Sequence, residues 1–128
     1  MSMRVSTIVI ILVVLVGGYY VAKKKGYIGK VEKAMEDSFG SHYATANKHY
    51  LAEKYEDAIK EYRAAVKKDP KHENAFDAMA RVGDCYARLD DYDKAVAAYR
   101  ETLKRYPGAK RENEIKTRIA KINALSGK

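Results

Sequence analysis

One stretch of this chain occurs twice. Residues 54–70 read KYEDAIKEYRAAVKKDP and residues 91–107 read DYDKAVAAYRETLKRYP. Superposed, Tyr55 falls on Tyr92, Ala58 on Ala95, Ile59 on Val96, Tyr62 on Tyr99, Arg63 on Arg100, Val66 on Leu103 and Pro70 on Pro107, always at an offset of 37. A fixed period of that size marks stacked supersecondary units, each too small to bury its apolar face alone. The expected fold is therefore all-α, with neighbouring helix pairs completing one another's core.

Each copy reads as a helix, 55–68 and 92–105, closed by its proline. Proline cannot continue a helix, and the residue before it avoids helical angles. Spacing of three and four predicts further helices. One covers 41–53, with Tyr43, Ala46, Tyr50 and Leu51. One covers 73–89, with Phe76, Met79, Val82, Gly83 and Tyr86. The last covers 111–125, with Ile115, Ile119, Ile122 and Leu125, and stops at Gly127. Upstream, Tyr27, Val31, Met35 and Phe39 recur every four residues. They predict a linker helix over 26–40 with one apolar stripe, which caps the repeats, lies on a membrane or meets a partner.

From Val5 to Ala22 the chain carries no charge: VSTIVIILVVLVGGYYVA. As a helix this stretch would be roughly 27 Å long, close to the hydrocarbon thickness of a bilayer. Tyr19 and Tyr20 suit the headgroup interface, and Lys23, Lys24 and Lys25 stop the apolar run. A signal peptide cut after Ala22 would put Tyr20 where a small residue is wanted, while a cut after Gly18 stays open. The expectation is a retained single-pass anchor over 1–25, with Lys23, Lys24, Lys25, Lys30 and Lys33 on lipid headgroups. The net charge of +8 is uneven: +5 over residues 1–33, −3 over 34–99 and +6 over 100–128. Positive charge prefers the cytoplasmic side, which places the following domain there. A short start such as MSMR also begins many exported anchors, so the periplasmic orientation stays open.

The repeated residues resemble the tetratricopeptide repeat (TPR) family, whose unit pairs two helices around small residues and aromatics and ends in proline. In the second unit the matching residues are Met79, Val82, Gly83, Tyr86, Tyr92, Ala95, Tyr99 and Pro107. In the first they are Ala46, Tyr55, Ala58, Tyr62, Ala65 and Pro70, with His42, Thr45 and His49 where larger apolar residues are usual. Ala46, Gly83 and Ala120 are again 37 apart, so the last helix resembles the start of a third unit. The resemblance covers about residues 41–125. It implies a membrane helix followed by a short α-solenoid over 41–128: repeat 1 at 41–70, repeat 2 at 71–107 and a capping helix at 108–128. Units of this length ending in Tyr-Pro-Gly look like those of bacterial envelope TPR proteins, which implies the bacterial cytoplasmic membrane.

In that family the first helix of each pair lines a groove for a peptide or partner helix. The matching positions are Tyr43, Asn47, Tyr50, Leu51, Ala80, Asp84, Ala87, Arg88, Thr117 and Lys121. Tyrosine offers broad apolar contact with a polar tip. Tyr43 stands where the carboxylate-clamp version of the groove wants lysine, so capture of a C-terminal carboxylate is not expected.

Other clusters read blandly. His42, His49 and Glu53 share a helical face, but packing or surface roles are favoured over metal ligation. The single Cys85 permits no intrachain disulfide and reads as an apolar filler. Arg100, Lys104, Arg105, Lys110, Arg111, Lys116, Arg118 and Lys121 read as solvated faces, without a nucleic-acid motif. No phosphate loop or nucleophile elbow is present, so neither catalysis nor a cofactor is expected. The functional expectation is a membrane-tethered interaction module: a scaffold, assembly factor or accessory subunit of a membrane complex, with protein partners. The alternatives are a receptor capturing soluble cargo and a self-assembling homo-oligomer.

Overall fold

The computed structural model describes residues 35–127. The apolar stretch 5–22, the lysines from Lys23 to Lys33 and most of the linker helix lie outside the described residues. Asp37–Lys128 forms one compact unit. Among the described residues, no helix is long and apolar enough to cross a membrane.

Five helices build this unit: α1 (Phe39–Leu51), α2 (Tyr55–Lys68), α3 (Ala75–Arg88), α4 (Tyr92–Arg105) and α5 (Ala109–Ser126). Each packs on the helix that follows it. α2 and α4 have the bounds that the two repeated stretches predict. Acidic residues sit in their first turns and lysine or arginine in their last, favourably aligned with the helix dipole. α5 ends at Gly127, which adopts the left-handed conformation (φ 73°) expected of a helix stop.

The start of α1 differs from the sequence expectation. Ser38 caps it, its hydroxyl accepting from Ser41 N at 3.2 Å. Phe39 therefore belongs to α1 and not to the linker stripe, and it is buried. Its ring stacks on Tyr43 (5.5 Å between centroids) and on His72 (3.8 Å). The four-residue stripe of the sequence runs across this cap and so does not mark the start of α1.

The core follows the repeat. Ala46, Ala58, Ala65 and Ala78 are fully buried among Tyr62, Val66, Met79, Val82 and Cys85. A second cluster joins Ala80, Ala95, Tyr99, Ile115 and Ile122, and Ala98 of α4 reaches into the first. Small residues bring the helices close, and tyrosine rings fill the space beside them. At Gly83 the approach is closest: a Cβ there would collide with the Tyr99 ring. Cys85 is a buried filler, its thiol pushed up to about 12 by burial and then by Asp84.

Candidate protein-interaction face

The first helices of successive units, α1, α3 and α5, are linked side by side through polar groups. From α1 to α3, Tyr43 donates its phenol to Asp77 Oδ2, which also accepts from Arg81 Nε at 3.0 Å. The Arg81 guanidinium lies 5.6 Å from the Tyr50 ring centroid. From α3 to α5, Arg118 Nη1 donates to both oxygens of Asp84 at 3.1 and 3.3 Å. Acid and base thus alternate across the three helices.

The second helices brace this row from behind, at the same place in each unit. Tyr62 of α2 donates to Asn47 Oδ1 at 2.6 Å, and Tyr99 of α4 donates to Asp84 Oδ1 at 2.5 Å. Both bonds span the two helices of one unit, and they are 37 residues apart. Burial pushes the Tyr62 hydroxyl up to about 12, and burial with the Asp84 carboxylate raises Tyr99 further. Burial alone would depress Arg81, but its bond to Asp77 more than reverses this and holds it charged. Two phenols and a guanidinium thus keep fixed protonation states on a preorganised surface.

The expected groove residues separate into three groups. Tyr43, Asn47, Tyr50 and Asp84 are half-buried and belong to the polar row; Arg88 and Lys121 are exposed. Leu51 ends α1 with 82% of its surface exposed. Ala80, by contrast, has no exposed surface and packs with Ala95, Tyr99 and Ile115, so it is not a contact residue. Ala87 is partly buried against that same cluster. The Thr117 hydroxyl turns back to its own helix, donating to Asn113 O at 2.9 Å, and α5 reaches α3 through Arg118 and through Arg111, whose guanidinium lies 5.1 Å from the Phe76 ring centroid.

Asp77, Arg81 and Arg118 were absent from the expected set. For Asp77 and Arg81 the signal was helical spacing, since 77, 81, 84 and 88 form one stripe and 80 and 87 the adjacent one facing α4 and α5; Arg118 stands one period of 37 after Arg81.

His42 is engaged by two carboxylates instead of packing as a large apolar residue. Its ring nitrogens lie 2.6 Å from Glu61 and 3.1 Å from Asp37. Among the described residues, no group of three His, Cys, Asp or Glu side chains is placed to hold a metal ion. The Lys23, Lys24, Lys25, Lys30 and Lys33 headgroup contacts lie outside the described residues.

A helix-pair stack with small-residue contacts, phenols bracing each first helix and a 37-residue period defines a class of repeat protein. The tetratricopeptide repeat family profile matches residues 43–110, more than half of the chain, and the chain belongs to that family. No curated protein gives a significant match. Repeats of this family generally mediate protein–protein interaction.

Proposed function

We propose that this protein is a membrane-tethered interaction module serving as scaffold, assembly factor or accessory subunit of a membrane protein complex, and that it has no catalytic role. The observation that carries the reading is the braced first-helix face. Tyr50, Arg81, Asp84 and Arg118 are held in fixed positions by bonds within the domain. A surface ordered before binding loses little conformational freedom on binding.

The tether rests on the uncharged stretch 5–22 and the lysines after it, which match a bilayer in length and flanking charge. It restricts the domain to the membrane plane and so raises its effective concentration toward membrane partners. Lys23, Lys24, Lys25, Lys30 and Lys33 are the groups that meet anionic headgroups in this reading. The unit length and Tyr-Pro-Gly ending favour a bacterial envelope protein in the cytoplasmic membrane, with the repeat domain on the cytoplasmic side by its flanking charge.

Cell fractionation with native gel electrophoresis tests this. The full-length protein is expected to resist carbonate extraction and to comigrate with a larger membrane complex. Leu12→Arg together with Leu15→Arg places charge in the span and is expected to release the protein and dissolve the comigration. A carbonate-soluble wild type, or one that migrates alone, contradicts the reading.

A further inference from the structure

The helices of this domain have two unlike ends. At one end the chain enters α1, α2 and α4 finish, and α3 and α5 begin. Contacts tie these points together. Asp37 meets His42 and Lys68, and Phe39 stacks on His72. Tyr106 donates to Pro70 O at 2.7 Å, and the Arg111 guanidinium lies over the Phe76 ring. The opposite end holds the turns 52–54 and 89–91.

The balance of charge differs between the ends. At the entry end Lys67, Lys71, Lys104, Lys110 and Arg111 are exposed, and among the described residues none of them forms an ion pair. Asp37 and Glu112 there are paired with Lys68 and Lys116, which leaves Glu36, Asp69 and Glu73 against these cations. At the opposite end Glu53, Glu56, Asp57, Asp90, Asp91 and Asp93 outnumber Lys48, Lys54, Arg88 and Lys94. Helix stability does not account for the basic end. Lys110 and Arg111 occupy the first turn of α5, where the helix dipole disfavours cations. A cleft of about 620 Å³ opens among Lys71, Phe76, Arg105, Tyr106 and Arg111, with two part-exposed aromatic rings beside the charges.

We propose that this end of the repeat domain docks on the anionic headgroups of a lipid surface. The proposal rests on the tether read from residues 5–22, because Asp37 and Phe39 fix the entering chain to the basic end. Tethering supplies effective concentration, and each lysine or arginine near an anionic surface adds about fivefold to the affinity. Phe76 and Tyr106 suit the headgroup level. Residues 1–33 are not the occupant, since they carry +5 themselves. A further stretch of repeat is not awaited either, since His72 on Phe39 and Tyr106 on Pro70 already close the junctions between units here. Two copies in one bilayer turn the same basic end toward it, so these ends repel each other. Docked in this way, the helices stand end-on to the membrane. The α1–α3–α5 face then opens sideways, toward neighbouring membrane proteins.

The test follows acylation of individual lysines by mass spectrometry in the full-length chain. The chain is held in nanodiscs of phosphatidylcholine alone, or of phosphatidylcholine and phosphatidylglycerol in equal parts. On the anionic discs Lys71, Lys104 and Lys110 are expected to react about fivefold more slowly than on the neutral ones, and high salt is expected to restore their rates. Lys54 and Lys94, at the opposite end, are expected to react alike on both. Lys71→Glu together with Lys110→Glu is expected to abolish the protection of Lys104. Both side chains are exposed, and melting curves confirm that the variant is folded. A chain that does not co-elute with the discs contradicts the tether and with it the proposal. A chain that co-elutes with both discs but reacts equally on them, or slows as much at Lys54 and Lys94, overturns the docking alone. Protection of Lys104 that survives the double variant, or that follows protein concentration instead of lipid charge, also overturns it.

Discussion

At Gly83 the usual ranking of helix residues is inverted. In an open helix, alanine stabilises over glycine by roughly 0.5–1 kcal/mol. Here a Cβ would enter the space of the Tyr99 ring, which is 2% exposed and fixed by its bond to Asp84. Gly83→Ala is therefore expected to destabilise by about 1–3 kcal/mol in urea unfolding, the range for overpacking. A second residue carries a pH dependence. The hydrogen bond to Glu61, and then that to Asp37, raise His42 above its ordinary 6.5. Its contribution to stability is full below 6.5 and is lost as pH rises through the higher folded value. Asp37 is held below its ordinary 3.8 by Lys68 and then His42, so its contribution is lost as pH falls below 3.8. Stability measured from pH 6 to 9 is expected to fall for the wild type, and His42→Gln is expected to flatten that slope.

The turns joining the helices of each pair repeat as faithfully as the helices do. Glu53 (φ 59°) and Asp90 (φ 58°) both adopt the left-handed conformation, and they too are 37 apart. Glu53 is exposed, so its side chain has little to lose. Glu53→Gly is expected to raise stability by about 0.5–1 kcal/mol, visible as a higher melting temperature. Neither turn announces itself in the sequence, because neither contains glycine. The helices α2 and α4 were legible to the residue, since each is an amphipathic run closed by proline. The start of α1 was not. Phe39 continues the phase of Tyr27, Val31 and Met35, and only the Ser38 cap divides the stripe. A cap is a local hydrogen bond, and periodicity carries no trace of it.

Across the whole domain, the sequence period and the contact period differ. Equivalent residues are 37 apart, but the residues that touch between first helices are 34 apart: Tyr43 with Asp77, and Asp84 with Arg118. The shift is close to one helical turn. Tyr43, Asn47, Tyr50 and Asp84 were named by the family resemblance, whereas the pairings of Asp77 and Arg118 across the first helices depend on how the helices cross. Ala80 was misplaced for the same reason, since α3 is apolar on the stripe that meets α4 and α5. The surface proposed for recognition is the α1–α3–α5 face. Site-specific photo-crosslinking in cells tests it most directly, with the reactive amino acid placed in the full-length chain at Leu51, Arg88 or Lys121, and at Lys60 or Lys67 on α2. All five positions are exposed, so the domain tolerates the replacement. A discrete protein adduct is expected from Leu51, Arg88 and Lys121 and none from Lys60 or Lys67. Adducts of equal yield from both sets, or from the α2 positions alone, would contradict it.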